Sequence, residues 1–187
     1  ARLFTEVVIA PSFETAAREI LQAKKDLRLL ECATPHSTDW QVRSIAGSYL
    51  AQEQDTVDAA DWRVVSQRTP SLEEEHALKF AWRAEKFVKS NAIVLARETK
   101  TVGIGAGQMS RVDSVKIAVD KAGERARGAV LASDAFFPFP DAVQAACLAG
   151  VTAIAHPGGS LRDAESIEVA NQYGVAMVLT GTRHFRH

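Results

Sequence analysis

From Gly128 onward the sequence alternates continuous apolar runs with helical segments, and this order narrows the fold more than any other feature. The runs are Gly128–Ser133, Val151–Ala155 and Ala176–Leu179. Between them lie two segments of helical periodicity, about Asp141–Ala149 and Leu161–Tyr173, each stopped by a glycine, Gly150 and Gly174. An apolar run with no alternation suits a strand buried on both faces, and two helical crossovers between three such runs suit a parallel sheet. The fold class expected is α/β.

Upstream, the pattern is less regular. Phe4–Ala10 reads as a strand, and Pro11-Ser12 opens a helix with Phe13, Ala16, Ala17, Ile20 and Leu21 on one face. Leu27–Cys32 reads as a buried strand, Trp40–Gln54 as strand with a break at Gly47, and Trp62–Val65 as a further short strand. Ser71 and Glu74 have capping-box spacing at the start of the next helix. Ala92–Ala96 and Thr101–Ala106, split by a polar turn, predict a hairpin, and Ser110–Arg125 a helix. No repeat or long linker interrupts the order, so it reads as one α/β domain or half of one. A chain that opens on Ala1 and enters a strand almost at once reads as a piece of something longer.

Composition removes several function classes. The 187 residues hold 22 basic and 23 acidic side chains, without the basic surplus that a non-specific nucleic-acid grip needs. Neither Cys32 nor Cys147 sits in a C-x-x-C pair, which argues against a zinc ribbon and for a cytoplasmic chain with buried thiols. No apolar run approaches the ~20 residues of a membrane helix.

In a parallel sheet, ligands bind beyond the carboxyl ends of the strands. The segments there are Ser133–Asp141, His156–Ser160 and Thr180–His187. They offer backbone N–H groups, Arg and His side chains, and three phenylalanines. Phe136, Phe137 and Phe139 cannot all face one core, so at least one ring should line a pocket. Asp141 and Ser160 stand where helix N-caps stand, and capping is the simpler role for each. The run Gly103-Ile104-Gly105-Ala106-Gly107 lacks dinucleotide spacing. It suits either a cradle for an anion, with Ser110 and Arg111 at a helix start, or a hairpin packed tightly under a helix. By residue type, acid–base work would fall to His156, His184 or His187.

Taken together, Lys89-Ser90-Asn91-Ala92, Gly103–Arg111, Ser133–Phe139, Pro157–Asp163 and the closing Arg183-His184-Phe185-Arg186-His187 resemble a known family. It is the bifunctional purine biosynthesis family that joins AICAR (5-aminoimidazole-4-carboxamide ribonucleotide) formyltransferase to IMP cyclohydrolase. The resemblance runs from Phe4 to His187 and points to the C-terminal part of the transformylase region. It implies that residues 1–187 form the second of two cytidine-deaminase-like halves, a three-layer α/β/α fold with a mixed, largely parallel sheet. Zinc deaminases carry P-C-x-x-C at the turn that here reads Ser133-Asp134-Ala135-Phe136, so no zinc is expected.

In that family a formyl group passes from 10-formyltetrahydrofolate, the cosubstrate, to AICAR, and the product cyclises to IMP. The resemblance places AICAR against Asn91, Ser110, Arg111, Phe136, Arg183, Phe185 and His187, and folate against Val112, Asp141, Ser160 and Leu161. Asn91 supports catalysis, and Arg111 can serve the site of a partner subunit. Pro140 departs from the basic residue that members often carry there. The resemblance also implies a homodimer, allows a monovalent cation, and gives no role to nucleic acid or membrane. The family's catalytic Lys-His pair belongs to the first half, and this sequence has no Lys-His dipeptide, so the chain alone is expected to be inactive. The rival reading is a stand-alone nucleotide-binding or regulatory module without catalysis.

Overall fold

Two short strands near the N-terminus, β1 (Val7–Ala10) and β2 (Arg28–Glu31), pair in parallel with helix α1 (Thr15–Gln22) between them in the chain. Parallel strands normally need cover on both faces. Here no residue of α1 is buried, and Val7, Ile9 and Leu30, on alternate positions from Val8 and Leu29, remain exposed. The expected buried strand at Leu27–Cys32 therefore exists but is not buried, and Cys32 is exposed. The break at Gly47 is a hairpin turn between β3 (Trp40–Ile45) and β4 (Ser48–Glu53). Ala46 and Gly47 both have positive φ, as a tight hairpin turn requires. These elements form one unit, Ala1–Gln54; Asp55–His187 is the other. The computed structural model describes residues 4–33, 40–57 and 62–186.

The second unit is built on a six-stranded sheet. Its elements are β5 (Arg63–Val64), α2 (Leu72–Glu85), β6 (Ile93–Arg97), β7 (Lys100–Gly105) and α3 (Arg111–Ala122). They continue through β8 (Val130–Ser133), α4 (Asp141–Leu148), β9 (Ala153–His156), α5 (Asp163–Gln172) and β10 (Ala176–Leu179). The strand order is β5-β10-β9-β8-β6-β7. The β8–β9 and β9–β10 pairs are parallel, and the other three are antiparallel. The sheet is thus mixed, with β7, β8, β9 and β10 running the same way. The capping box at Ser71 forms as its spacing predicts: Glu74 N–H donates to Ser71 Oγ at 3.2 Å, and Ser71 N–H to Glu74 Oε2 at 2.8 Å.

Residue size sorts the two faces of this sheet. Ile93, Leu95, Leu131, Ile154 and Met177 point toward α3, α4 and α5. Val94, Ala96, Val130, Ala132, Ala153, Ala155, Ala176 and Val178 point toward α2, which fills the shallower face with Leu78 and Trp82. On β7 the limit is tighter still. A Cβ at Gly103 would lie 2.0 Å from Ala118 O, and one at Gly105 1.9 Å from Ser114 O, both carbonyls of α3. Of the two readings of the glycine run, close packing under a helix is the one that describes these two positions.

The α2 layer also holds a polar oddity. Glu85 is fully buried, and neither carboxyl oxygen has a hydrogen-bond partner among the described residues. Burial, reinforced by Asp134 and opposed by Arg111, pushes its carboxyl well above the ordinary 4.5. No helix among the described residues is long and apolar enough to cross a membrane.

Two stability outcomes follow. Gly105→Ala should lower stability by about 1–3 kcal/mol or more through overpacking, read from the urea midpoint of tryptophan fluorescence. A loss below about 0.5 kcal/mol would mean that α3 does not rest on β7. Glu85→Met should stabilise the protein at pH 7.5 by roughly 1–3 kcal/mol, because it removes an unsatisfied buried group. A raised carboxyl pKa makes the folded state hold the extra proton, so the Glu85 penalty grows as pH rises above 4.5. The melting-temperature gain of the variant over the parent should therefore shrink as the pH is lowered toward 4.5; a gain that grows instead would contradict this.

Candidate functional site

The carboxyl ends of β7 and β8, the start of β6 and the segment after β10 gather around one cleft of about 590 Å³. Its wall includes Asn91, Ser110, Arg111, Val112, Phe136, Asp141, Arg183 and Phe185, eight of the positions singled out in the sequence. Met109, Pro138 and Phe139 complete much of the rest. Met109 carried no sequence signal beyond its place in the glycine-rich loop, yet it is almost wholly exposed.

A buried ion pair lies under this wall. Arg111, 6% exposed, is paired through Nη1 with Asp134, which is 0% exposed. The same Nη1 donates to Ser133 Oγ at 3.0 Å, and Nη2 donates to Asn91 Oδ1 at 2.8 Å. The other Asp134 oxygen accepts from the Ser90 hydroxyl. Asn91 then donates from Nδ2 to Gln108 O at 2.9 Å, and its own carbonyl accepts from Ser114 Oγ. The Ser90–Asn91 peptide is cis. Arg111 thus turns inward and is neutralised, rather than facing an anion at the helix start. Ser110 does cap α3, accepting from Asp113 N–H at 3.2 Å.

Aromatic and cationic groups face each other across the opening. Arg183 stacks over Phe136 at 4.9 Å from the ring centroid, within cation–π range. Arg162 lies 4.8 Å over Phe139. Phe137 is fully buried against His156, with ring centroids 5.1 Å apart. The crowding argument is met: one ring enters the core and two remain at the cleft.

The folate candidates divide. Val112 and Asp141 line the cleft, but Ser160 and Leu161 are not among its lining residues, and Leu161 is fully exposed. Their loop still borders the opening, since a Cβ at Gly159 would lie 3.7 Å from Arg183 Nη2. Neither Asp141 nor Ser160 is an N-cap. Pro140 and Arg162 hold those positions, and Asp163 Oδ2 instead gathers the Gly159 and Ser160 N–H groups at 2.7 and 3.2 Å. Gly158 and Gly159, both at positive φ, let the loop fold over that carboxylate.

The two described histidine candidates, His156 and His184, stand apart from the opening. His156 is fully buried, and burial depresses its pKa to about 4. His184 is also buried, and His187 lies outside the described residues. Among the described lining residues the ionisable groups are Arg111, Asp141 and Arg183. No described histidine is among them, so the imidazoles that residue type offers for acid–base work are not brought to this wall. The arrangement suits gripping a planar, electron-rich and anionic ligand more than moving a proton.

Comparison with known proteins now places the chain. The profile of the AICARFT/IMPCHase bienzyme matches residues 1–121. The bifunctional purine biosynthesis protein PurH of Desulfitobacterium hafniense (strain DSM 10664 / DCB-2) is 56% identical over 98% of this chain and 36% of its own length. PurH of Anoxybacillus flavithermus is 56% identical over 99% of the chain, and that of Shouchella clausii 55% over all of it, each across 37% of the relative. The chain therefore spans little more than a third of the relatives it matches. A solved structure of RibD from Acinetobacter baumannii, form 2, aligns with 57% of this chain and 34% of its own at 14% identity and a TM-score of 0.41, too slight a likeness to bear on the fold. On the profile match and the shared identity, the chain belongs to the AICARFT/IMPCHase bienzyme family.

Proposed function

We propose that this chain is the C-terminal part of a cytoplasmic enzyme of de novo purine biosynthesis that transfers a formyl group from 10-formyltetrahydrofolate to AICAR and cyclises the product to IMP. Within it, residues 1–187 would belong to the second, cytidine-deaminase-like half of the transformylase region. The three-layer arrangement of the larger unit, with a mixed sheet, supports that placement. The observation that carries the proposal is the convergence of Asn91, Phe136 and Arg183 on one cleft in a chain of this family. A zinc ion fits poorly at the β8 turn, because Ser133 and Asp134 are already engaged by Arg111. A monovalent cation fits no better there, since the Arg111 guanidinium already neutralises Asp134.

The amine of AICAR is a weak nucleophile, because its lone pair delocalises into the imidazole and carboxamide. Transfer then depends on holding amine and formyl carbon in contact and on removing a proton as the bond forms. In this reading Phe136 offers its face to the imidazole, and Asn91, fixed by Arg111 and Gln108, keeps a lone pair and an N–H for the carboxamide. Arg183 binds nucleotide oxygens by charge-assisted hydrogen bonds. Asp141, exposed at the first turn of α4, can accept from the paired donors of a pterin edge. Proton transfer is left to the polypeptide beyond this chain, whose sites form in a homodimer.

A formyl-transfer assay tests the division of labour. The chain alone should show no transfer, and adding the remaining polypeptide in trans should restore it. Arg183→Ala in the restored enzyme should raise KM for AICAR on the order of tenfold or more. Transfer by the chain alone at the rate of the mixture would overturn the proposal. Ligand binding that persists while mixing restores nothing would favour the stand-alone nucleotide-binding module.

A further inference from the structure

The closing segment carries two cleft residues, Arg183 and Phe185, with His184 between them. Arg183 and Phe185 are exposed, whereas His184 is 1% exposed. In an extended chain, neighbouring side chains point to opposite sides, so whatever seats His184 also sets where its neighbours stand. Three contacts seat it. Its ring lies 4.4 Å from the Trp82 ring, tilted by 58°, and Trp82 is itself buried in the α2 layer. Its Nδ1 is hydrogen-bonded to Asp55. Its main-chain N–H donates to Asp134 O at 3.2 Å, so the segment hangs on the residue whose carboxylate holds Arg111.

We propose that His184 is a positioning residue: its Asp55 hydrogen bond fixes the closing segment so that Arg183 and Phe185 face the cleft. His184 is a candidate for acid–base work by residue type, but it lies behind the cleft wall and is absent from its lining. The ring on Trp82 supplies packing, and the Asp55 bond supplies orientation. The proposal rests on the functional reading above only in naming AICAR as the ligand that Arg183 and Phe185 meet.

Three substitutions in the intact enzyme of which this chain is proposed to be part separate the two contributions. His184→Phe keeps a ring for Trp82 and loses the bond to Asp55. His184→Asn keeps an amide donor near the Nδ1 position and loses the ring. Asp55→Ala, on a partly exposed residue that also accepts from Val57 N–H and pairs with Lys86, removes the acceptor without touching the core. The expected pattern is that KM for AICAR rises about tenfold in His184→Phe and Asp55→Ala with kcat changed less than about threefold. His184→Asn should stay near the parent KM although its melting temperature falls. Without ligand, hydrogen exchange at the amides of residues 182–186 should quicken in His184→Phe and Asp55→Ala and not in His184→Asn. A KM that tracks melting temperature across the three, or exchange unchanged in His184→Phe and Asp55→Ala, overturns the proposal. Exchange that separates as expected in an enzyme that does not use AICAR would leave the positioning role standing and sink the functional reading instead.

Discussion

The buried Arg111–Asp134 pair is the constraint on which the cleft depends. Taking both charges out of water is costly, and such a pair persists only where further hydrogen bonds complete both partners. Here Ser90, Asn91 and Ser133 do so. Four pieces of chain that are distant in sequence thereby acquire one geometry: the start of β6, the end of β8, the first turn of α3 and, through the Asp134 carbonyl, the closing segment. The pair also decides the charge of the site. With Arg111 neutralised, Arg183 is left as the cation that reaches the opening from the described wall, and it has an aromatic face to rest on. A ligand with one strongly anionic end and one planar end matches that layout.

Much of the scaffold was legible because its signals are local. The glycine-stopped helices, the capping box at Ser71 and the alternation of runs after Gly128 each report the backbone at their own position. The surplus of phenylalanines also had a physical consequence that could be read in advance. What escaped was pairing over distance. Nothing near Arg111 says that its partner is Asp134 rather than a ligand phosphate, and both readings place a cation at a helix start. Asp141 and Ser160 looked like caps because capping residues are recognised by type, but Asp163 takes the loop N–H groups and moves the start of α5 beyond Ser160. Leu27–Cys32 looked buried because apolar content does not show how many layers surround a strand.

The unequal faces of the larger sheet connect scaffold to site. Alanines on the α2 side let one helix lie close, and Trp82 fills the space they leave. That ring reaches far enough to support His184 from behind, so a packing choice in the core extends to the segment that carries Arg183. On the opposite face, Gly103 and Gly105 bring α3 down onto β7, which sets the height at which Ser110, Arg111 and Val112 enter the wall. Core packing thus fixes the site from both sides of the sheet.

The first unit bears on the proposed dependence on a longer polypeptide. A parallel pair of strands is seldom stable with one face open, and β1 and β2 leave Val7, Ile9 and Leu30 in solvent. The same order of strand, helix and parallel strand recurs at β9, α5 and β10, where further strands and α2 cover what the pair alone would expose. By the standard of the second unit, the described residues of the first do not supply a covering layer. The cleft shows a parallel shortfall in chemistry, since none of its described lining residues is a histidine. Both shortfalls have the same resolution if the chain works joined to the rest of a protein nearly three times its length, which its relatives span.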